Sequence, residues 1–152
     1  MFLREYLEKF NNKKIKLYVD MDGVIADFDF GVPSGYDKKR PLYTSLKKLE
    51  DISKMNNVEL YILSVTRMDE GFEEKNNWLD KYAPFFKKEN RVILSRESNN
   101  FEISSNLKAN YLKTVERDDC AIVLIDDCID ILKKVSATNK DVYLLKDTAL
   151  VD

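Results

Sequence analysis

The sequence predicts an α/β fold, a three-layer sandwich built on a five-stranded parallel sheet. Short apolar runs rich in β-branched residues alternate with longer segments in which apolar residues recur at helical spacing. Parallel strands need long crossover connections, which helices of this length supply. Two apolar runs, IKLYVD and AIVLIDD, end in carboxylates. Acidic groups are therefore expected at the sheet edge where open α/β folds bind ligands.

The first half of the chain contains two of the predicted strands. Each is an apolar run followed by a segment with apolar residues three or four positions apart. A stretch rich in glycine, proline and aromatic residues follows the first strand and is predicted to form a loop or flap. In order, the elements are a helix over Phe2–Phe10, a strand over Ile15–Val19, a loop over Gly23–Pro41, a helix over Leu42–Met55, a strand over Val58–Ser64 and a helix over Phe72–Phe86 that breaks near Pro84.

The second half continues the alternation. RVILS and DVYLL are short apolar runs typical of strands. The elements are a strand over Arg91–Ser95, a loop over Asn99–Ser105, a helix over Leu107–Val115, a strand over Ala121–Asp127, a helix over Ile129–Val135 and a strand over Asp141–Leu145. No repeat, low-complexity tract or linker divides the chain, so residues 1–152 are expected to form one domain with a short flap at about 28–57.

Composition excludes several classes of function. The 25 basic and 27 acidic residues give a net charge of -2, so stable nucleic-acid binding and membrane binding are not expected. The chain has no histidine, which excludes histidine-based acid–base catalysis, histidine-ligated zinc and Ser-His-Asp triads. With two cysteines, no signal-like N-terminus and no apolar run of membrane-spanning length, a cytoplasmic location is expected. Nothing in the composition fixes the oligomeric state.

Four carboxylates are candidates for a metal site. Asp20 and Asp22 follow the first predicted strand and precede Gly23, whereas Asp126 and Asp127 end the fourth strand. If these strands are parallel neighbours, all four acids converge at one edge of the sheet. Carboxylates this close repel one another and are costly to bury, so we expect a cation between them. Hard oxygen ligands favour Mg²⁺.

The ordered motifs resemble the haloacid dehalogenase (HAD) superfamily of phosphotransferases. The resemblance is carried by D-x-D-G-V after the first strand, Ser64 after the second, Lys108 in a later helix and D-D after the fourth strand. DMDGVIADF, and KNNWLDKY followed by RVILSRE, are similar to the 5'(3')-deoxyribonucleotidase branch. The motifs cover nearly the whole chain in order, and they imply a HAD-like (Rossmannoid) sheet with a minimal cap.

The resemblance implies a role for each motif residue. Asp20 would be the nucleophile that forms an aspartyl-phosphate. Asp22 would act as general acid and then base, and its backbone carbonyl would ligate Mg²⁺. Ser64 would donate to a phosphate oxygen, and Lys108 would balance the carboxylates and the transferring phosphoryl group.

Two further pairs complete the predicted site. One acid of the D-D pair would bind Mg²⁺ directly and the other through water or Lys108, and the resemblance favours Asp127 as the direct ligand. Thr66 and Arg67 lie within reach of the same edge and are candidates for binding a substrate phosphate. The chain departs from the deoxyribonucleotidases in two respects. Lys108 lies further downstream than their lysine, and the segment Phe28–Val58 is shorter than their substrate-covering cap.

These expectations lead to a Mg²⁺-dependent phosphomonoester hydrolase, a HAD-type phosphatase. Its expected partner is a phosphorylated small molecule, with a nucleoside monophosphate as the first choice and a non-nucleotide phosphate as the alternative. Two other classes stay open: a domain that binds a phosphorylated ligand without catalysis, and a signalling domain phosphorylated on aspartate. The last is disfavoured because receiver domains carry the phosphorylated Asp on the third strand, and here that strand ends in Leu94–Ser95.

Overall fold

The sheet is the centre of the computed structural model, which describes residues 2–27 and 35–151. It has five strands in the order β3-β2-β1-β4-β5, and every neighbouring pair is parallel. The strands are β1 (Lys14–Val19), β2 (Val58–Thr66), β3 (Arg91–Ser95), β4 (Cys120–Asp126) and β5 (Tyr143–Lys146). The predicted α/β class and the parallel sheet are confirmed.

Helices cover both faces of the sheet, so the fold has three layers. They are α1 (Phe2–Glu8), α2 (Tyr43–Ile52), α3 (Gly71–Tyr82), α4 (Ser104–Lys113) and α5 (Ile129–Thr138). The helix α1 precedes β1, and each of the other four lies in a crossover between consecutive strands. Short 3-10 turns lie at Tyr36–Lys38, Lys88–Asn90, Glu97–Asn99 and Asp147–Leu150.

Alternation along the strands divides the core into two halves. In β1, Leu17 and Val19 pack in the half that contains α1, α2 and α3, whereas Tyr18 packs with α4 and α5. Every residue of β4 is buried, as expected for a central parallel strand. To the first half of the core the helices contribute Leu3, Leu7, Leu46, Leu49, Ile52, Trp78 and Leu79. To the second half they contribute Ala109, Leu112, Ile131, Leu132 and Val135.

Most element boundaries differ from the prediction by a few residues, and two of these differences lie near the site. The strand β2 continues past Ser64 to Thr66, because its last residues pair with β3. The loop after β3 ends earlier than predicted, because α4 begins at Ser104. The helix α3 ends at Tyr82, in agreement with the break predicted near Pro84.

The structure covers part of the predicted flap at 28–57. Phe28, Phe30 and the other residues of 28–34 lie outside the described residues. The remainder contains the turn Tyr36–Lys38 and the helix α2, whose Leu49 is fully buried. The assignment of one domain with a flap stays a prediction. Within 2–27 and 35–151, no helix combines the length and the apolar character needed to cross a membrane.

The strand order creates a topological switch point beside β1. The chain passes from β1 outward to β2 and β3, and then returns to the other side of β1 for β4 and β5. A crevice opens at the carboxyl ends of the strands where the order reverses, and open α/β sheets bind ligands there. The register pairs Val19 with Ile125, so the next residues, Asp20 and Asp126, lie side by side at this crevice.

Candidate functional site

Three carboxylates converge where β1 and β4 end. Oxygens of Asp20, Asp126 and Asp127 lie within 4.8 Å of one another. Asp20 is 7% exposed and Asp126 is 0% exposed, while Asp127 is half-buried and lines a cavity of about 430 Å³. The backbone N–H of Asp20 donates to the carbonyl of Ile125 at 3.0 Å. This bond extends the strand ladder to the site, so the sheet itself fixes the spacing of the acids.

Lys108 lies among these acids. The helix α4 carries its ammonium into the crevice, where Nζ is 2.9 Å from Asp20 Oδ1 and 2.7 Å from Asp126 Oδ2. The residue is 1% exposed. Burial disfavours the ammonium, but the two carboxylates outweigh that effect and raise the pKa of Lys108. Lys108 therefore remains a cation and holds two of the acids in place.

Burial also governs the protonation of the carboxylates. Desolvation has the largest effect on Asp20, and together with repulsion from Asp126 and Asp22 it raises the pKa of Asp20 to about 7 in spite of Lys108. The pKa of Asp127 is also raised, first by burial and then by the charge of Asp126. A bound cation would favour the ionised form of both groups.

The donor set fits a divalent cation. With all groups ionised, three carboxylates and one ammonium carry a formal charge of −3 + 1 = −2, which one Mg²⁺ would neutralise. Both oxygens of Asp126 already accept hydrogen bonds, one from Lys108 at 2.7 Å and one from the backbone N–H of Cys128 at 2.9 Å. Asp127, which lines the cavity, is the more available acid of the D-D pair.

Gly23 provides the space that Asp127 occupies. A β-carbon at position 23 would lie 2.0 Å from Asp127 Oδ2, and the φ of Gly23 is +81°. Its N–H donates to the carbonyl of Ala26 at 2.8 Å and closes the turn after β1. The glycine of D-x-D-G is thus required for its left-handed backbone and for the approach of an acid from another strand.

Asp22 pairs with two lysines and stands apart from the other three acids. Lys39 Nζ lies 2.5 Å from its Oδ1, and Lys75 Nζ lies 3.3 Å from its Oδ2. Burial opposes ionisation of this carboxyl, but the two lysines prevail and lower the pKa of Asp22. The ionised carboxylate lines the same cavity of about 430 Å³ as Asp20 and Asp127, which we call the acidic cavity. Both lysines line a neighbouring cavity.

Lys75 is the site residue that sequence reasoning missed. It is 4% exposed, and its Nζ donates to Ser64 Oγ at 2.7 Å and to the carbonyl of Val65 at 2.9 Å, as well as to Asp22. Burial lowers the pKa of Lys75. Ser64 is itself 1% exposed. A signal was present, because a lysine three positions before Trp78 lies on the buried face of α3.

Thr66 and Arg67 line a second cavity of about 260 Å³. Tyr36 and the two lysines that hold Asp22 also line it. Arg67 is exposed, and Thr66 is half-buried. The two predicted phosphate-binding residues therefore lie across Asp22 from the acid cluster.

Comparisons with known proteins reveal likeness in structure. No family model and no curated protein matches the sequence. A chain of the "Structure of Pnkp1/Rnl/Hen1 complex" is similar over 90% of this chain and 46% of its own length, with a TM-score of 0.70 and 16% identity. A chain of the "Structure of the Pnkp1/Rnl/Hen1 RNA repair complex" is similar over 90% and 43%, with a TM-score of 0.66 and 16% identity. This likeness shows the fold. The chain spans less than half the length of either matched chain.

The expected family membership is wrong. No family model matches, and these similar structures come from an RNA repair complex, which does not support a HAD deoxyribonucleotidase. The predicted Mg²⁺-dependent phosphomonoesterase is wrong with it. So are its alternatives: the phosphatase for non-nucleotide substrates, the non-catalytic phospho-ligand binder and the aspartate-phosphorylated signalling domain. Acid-ended strands at a switch point are a feature of parallel sheets that host many chemistries, so short motifs of this kind do not fix a family.

The expected partner, a small phosphorylated molecule with no nucleic acid, is wrong as well. The similar chains belong to an RNA repair complex. The prediction relied on the net charge of -2, whereas the local grouping of charges decides what a surface attracts. Lys39, Arg67 and Lys75 line one cavity together with Glu70 and Glu74, although these residues are not adjacent in sequence, so a count over the whole chain does not reveal the grouping.

Proposed function

We propose that this chain is the metal-dependent phosphoryl-transfer part of an RNA-repair enzyme and acts at the phosphorylated end of an RNA strand. The supporting observation is the cluster of Asp20, Asp126 and Asp127 around Lys108, at the switch point of a fold similar to chains of an RNA repair complex. Enzymes that transfer phosphoryl groups rely chiefly on positioning and on neutralising phosphate charge, and this cluster suits both.

The three clustered acids would hold Mg²⁺, with the backbone carbonyl of Asp22 as a further ligand. The bound ion supplies Lewis-acid polarisation of a phosphate oxygen. Lys108 sets the positions of Asp20 and Asp126 through its two short contacts. Its ammonium also places a positive charge where a transferring phosphoryl group gains negative charge.

Asp22 would accept a hydrogen bond from a hydroxyl group next to the phosphorylated end. Its carboxylate is ionised and lines the acidic cavity, so it is available there as a hydrogen-bond acceptor. Ser64 would contribute by positioning Lys75, whose Nζ donates a hydrogen bond to Ser64 Oγ at 2.7 Å. Thr66 and Arg67 would bind the phosphate of the adjoining nucleotide in the second cavity.

We place this activity in the cytoplasm. Cys120 and Cys128 are both free thiols, in agreement with a reducing compartment.

The test uses short RNA oligonucleotides that carry a phosphate or a hydroxyl at each end. They are incubated with the protein and Mg²⁺, with and without ATP, and the products are analysed on denaturing gels and by mass spectrometry. We expect a Mg²⁺-dependent change of an end group that EDTA, Asp20→Asn and Asp127→Asn abolish. Asp118→Asn, which changes an exposed acid outside the cluster, is the matched control. Mg²⁺ binding without any change at an RNA end would contradict the proposal.

A further inference from the structure

The loop between β3 and α4 holds Phe101 in an unusual backbone conformation. Asn100 and Phe101 have φ values of 54° and 57°. Asparagine adopts the left-handed region readily, whereas a bulky residue does so only at a cost in free energy. The side chain of Phe101 is nevertheless 47% exposed.

Arg96 stabilises this conformation. Its Nε donates to the carbonyl of Glu102 at 2.8 Å, and its Nη2 donates to the carbonyl of Phe101 at 2.9 Å. The N–H of Phe101 donates back to the carbonyl of Arg96 at 2.7 Å. Strained backbone persists only where its surroundings determine it fully, and such residues are concentrated at ligand sites. The result is an aromatic ring presented to solvent on a fixed backbone.

This loop leads directly into the acidic cavity. Ser104, the first residue of α4, lines that cavity together with Asp127 and Lys108. Two residues lie between Phe101 and Ser104, so their α-carbons are at most about 11 Å apart. Between them, Ile103 is a second apolar residue exposed to solvent, at 53%.

We infer that Phe101 is a stacking platform for an unpaired nucleobase of the strand whose phosphate enters the acidic cavity. The inference rests on the proposed function and adds a base-binding subsite to it. Stacking on an aromatic ring contributes about 1–3 kcal/mol per base and tolerates any base. Because the net charge of -2 provides little general attraction for RNA, affinity has to come from local contacts such as this one.

The test measures the affinity of short single-stranded RNA by fluorescence anisotropy in Mg²⁺. A series of oligonucleotides carries an abasic site at each of the terminal positions. We expect the wild-type protein to bind the intact strand about 5- to 150-fold more tightly than one member of the abasic series.

Phe101→Gly removes the ring and fits the left-handed backbone without strain. We expect this variant to bind intact RNA as weakly as the wild type binds the abasic strand. It should therefore no longer distinguish intact from abasic RNA. Phe101→Trp keeps an aromatic ring and should still bind intact RNA more tightly than abasic RNA. Tyr143→Ala is the matched control, because Tyr143 is also 47% exposed but lies at the start of β5, at the opposite edge of the sheet.

Equal affinity of wild type and Phe101→Gly for intact RNA would overturn the stacking inference, whatever happens at the RNA ends. Discrimination that depends on Phe101, without Mg²⁺-dependent change at any RNA end, would support the stacking platform and overturn the proposed function. Failure of the wild-type protein to bind any of the oligonucleotides would overturn both.

Discussion

Asp20 experiences three competing influences in the acidic cavity. Burial and the charges of Asp126 and Asp22 oppose its ionisation, while Lys108 favours it. The balance raises its pKa from 3.8 to about 7, so the metal-free protein holds a proton there that a solvated aspartate would release. Binding of a cation has to displace that proton, which couples metal affinity to pH.

The first prediction concerns that coupling. Below about pH 7, the apparent Mg²⁺ affinity should fall by up to about tenfold per pH unit, because Asp20 is protonated; above it, the affinity should level off. The stability contributed by Asp20 in the metal-free protein has the opposite trend. The folded state retains a proton that the unfolded state loses near pH 3.8, so stability falls as the pH rises toward 7. Titration calorimetry from pH 5.5 to 8.5 measures the affinity, and an affinity that does not change with pH would contradict the prediction.

The second prediction concerns Gly23. In Gly23→Ala the new methyl group would overlap Asp127 Oδ2 at 2.0 Å and force φ = +81° on a residue with a side chain. We expect Mg²⁺ affinity to fall at least about tenfold, and the free energy of unfolding to fall by about 1–2 kcal/mol. Calorimetry and urea unfolding measure the two effects.

Gly35→Ala is the control for that variant. Gly35 has a similar φ of +92°, but its nearest neighbour would be the exposed Asp37 side chain, which can move aside. It should reproduce the backbone strain and leave Mg²⁺ affinity unchanged. If both variants bound Mg²⁺ equally well, the contact between Gly23 and Asp127 would not matter to the site.

At the scale of elements, α3 both closes the core and serves the site. Trp78 and Leu79 are almost fully buried on its inner face, and Arg91 of β3 fixes its far end through Asp80, with Nη1 and Oδ1 2.7 Å apart. The same face carries Lys75 toward Asp22. The position of this ammonium is therefore set by packing of the whole helix, which explains why a buried lysine can be held there.

The third prediction tests that helix. Lys75→Met keeps an unbranched apolar side chain, one atom shorter, but removes the donor to Ser64 Oγ and to the carbonyl of Val65. Buried acceptors left without a partner cost about 1–3 kcal/mol, so the free energy of unfolding should fall by that amount. Turnover at RNA ends should fall too, because Asp22 loses one of its two lysine partners. Lys81→Met, on the exposed last turn of α3, should change stability by less than about 0.5 kcal/mol. A Lys75→Met protein as stable as wild type would show that these contacts contribute nothing.

At the scale of the whole molecule, one sheet joins the two halves of the core. Trp78 reports on the half with α1, α2 and α3, while Leu112 lies in the half with α4 and α5. Both halves pack on the same strands, since β1 contributes Leu17 to one and Tyr18 to the other. Loss of packing on either face should therefore weaken the entire fold.

The fourth prediction follows from this shared sheet. Leu49→Ala and Leu112→Ala, on opposite faces, should each lower the free energy of unfolding by about 2–5 kcal/mol. In both variants, Trp78 fluorescence and far-UV circular dichroism should report one coincident urea transition. Ile129→Ala, a change at a residue that is 52% exposed, is the control and should have little effect. A fluorescence transition that Leu112→Ala leaves unshifted would overturn the one-domain prediction.

Sequence alone determined the alternation of strands and helices, the parallel sheet and the candidate acids, because periodicity and strand-end carboxylates are local patterns. It missed the buried Lys75 and the pairing of Asp22 with Lys39 and Lys75. Both depend on how α3 and the turn Tyr36–Lys38 pack near β1. It also led to a wrong family, because short acidic motifs at strand ends are too brief to distinguish among the many functions that one fold can host. Only the tertiary structure decided which charges meet, since attraction and burial act between groups that are distant along the chain.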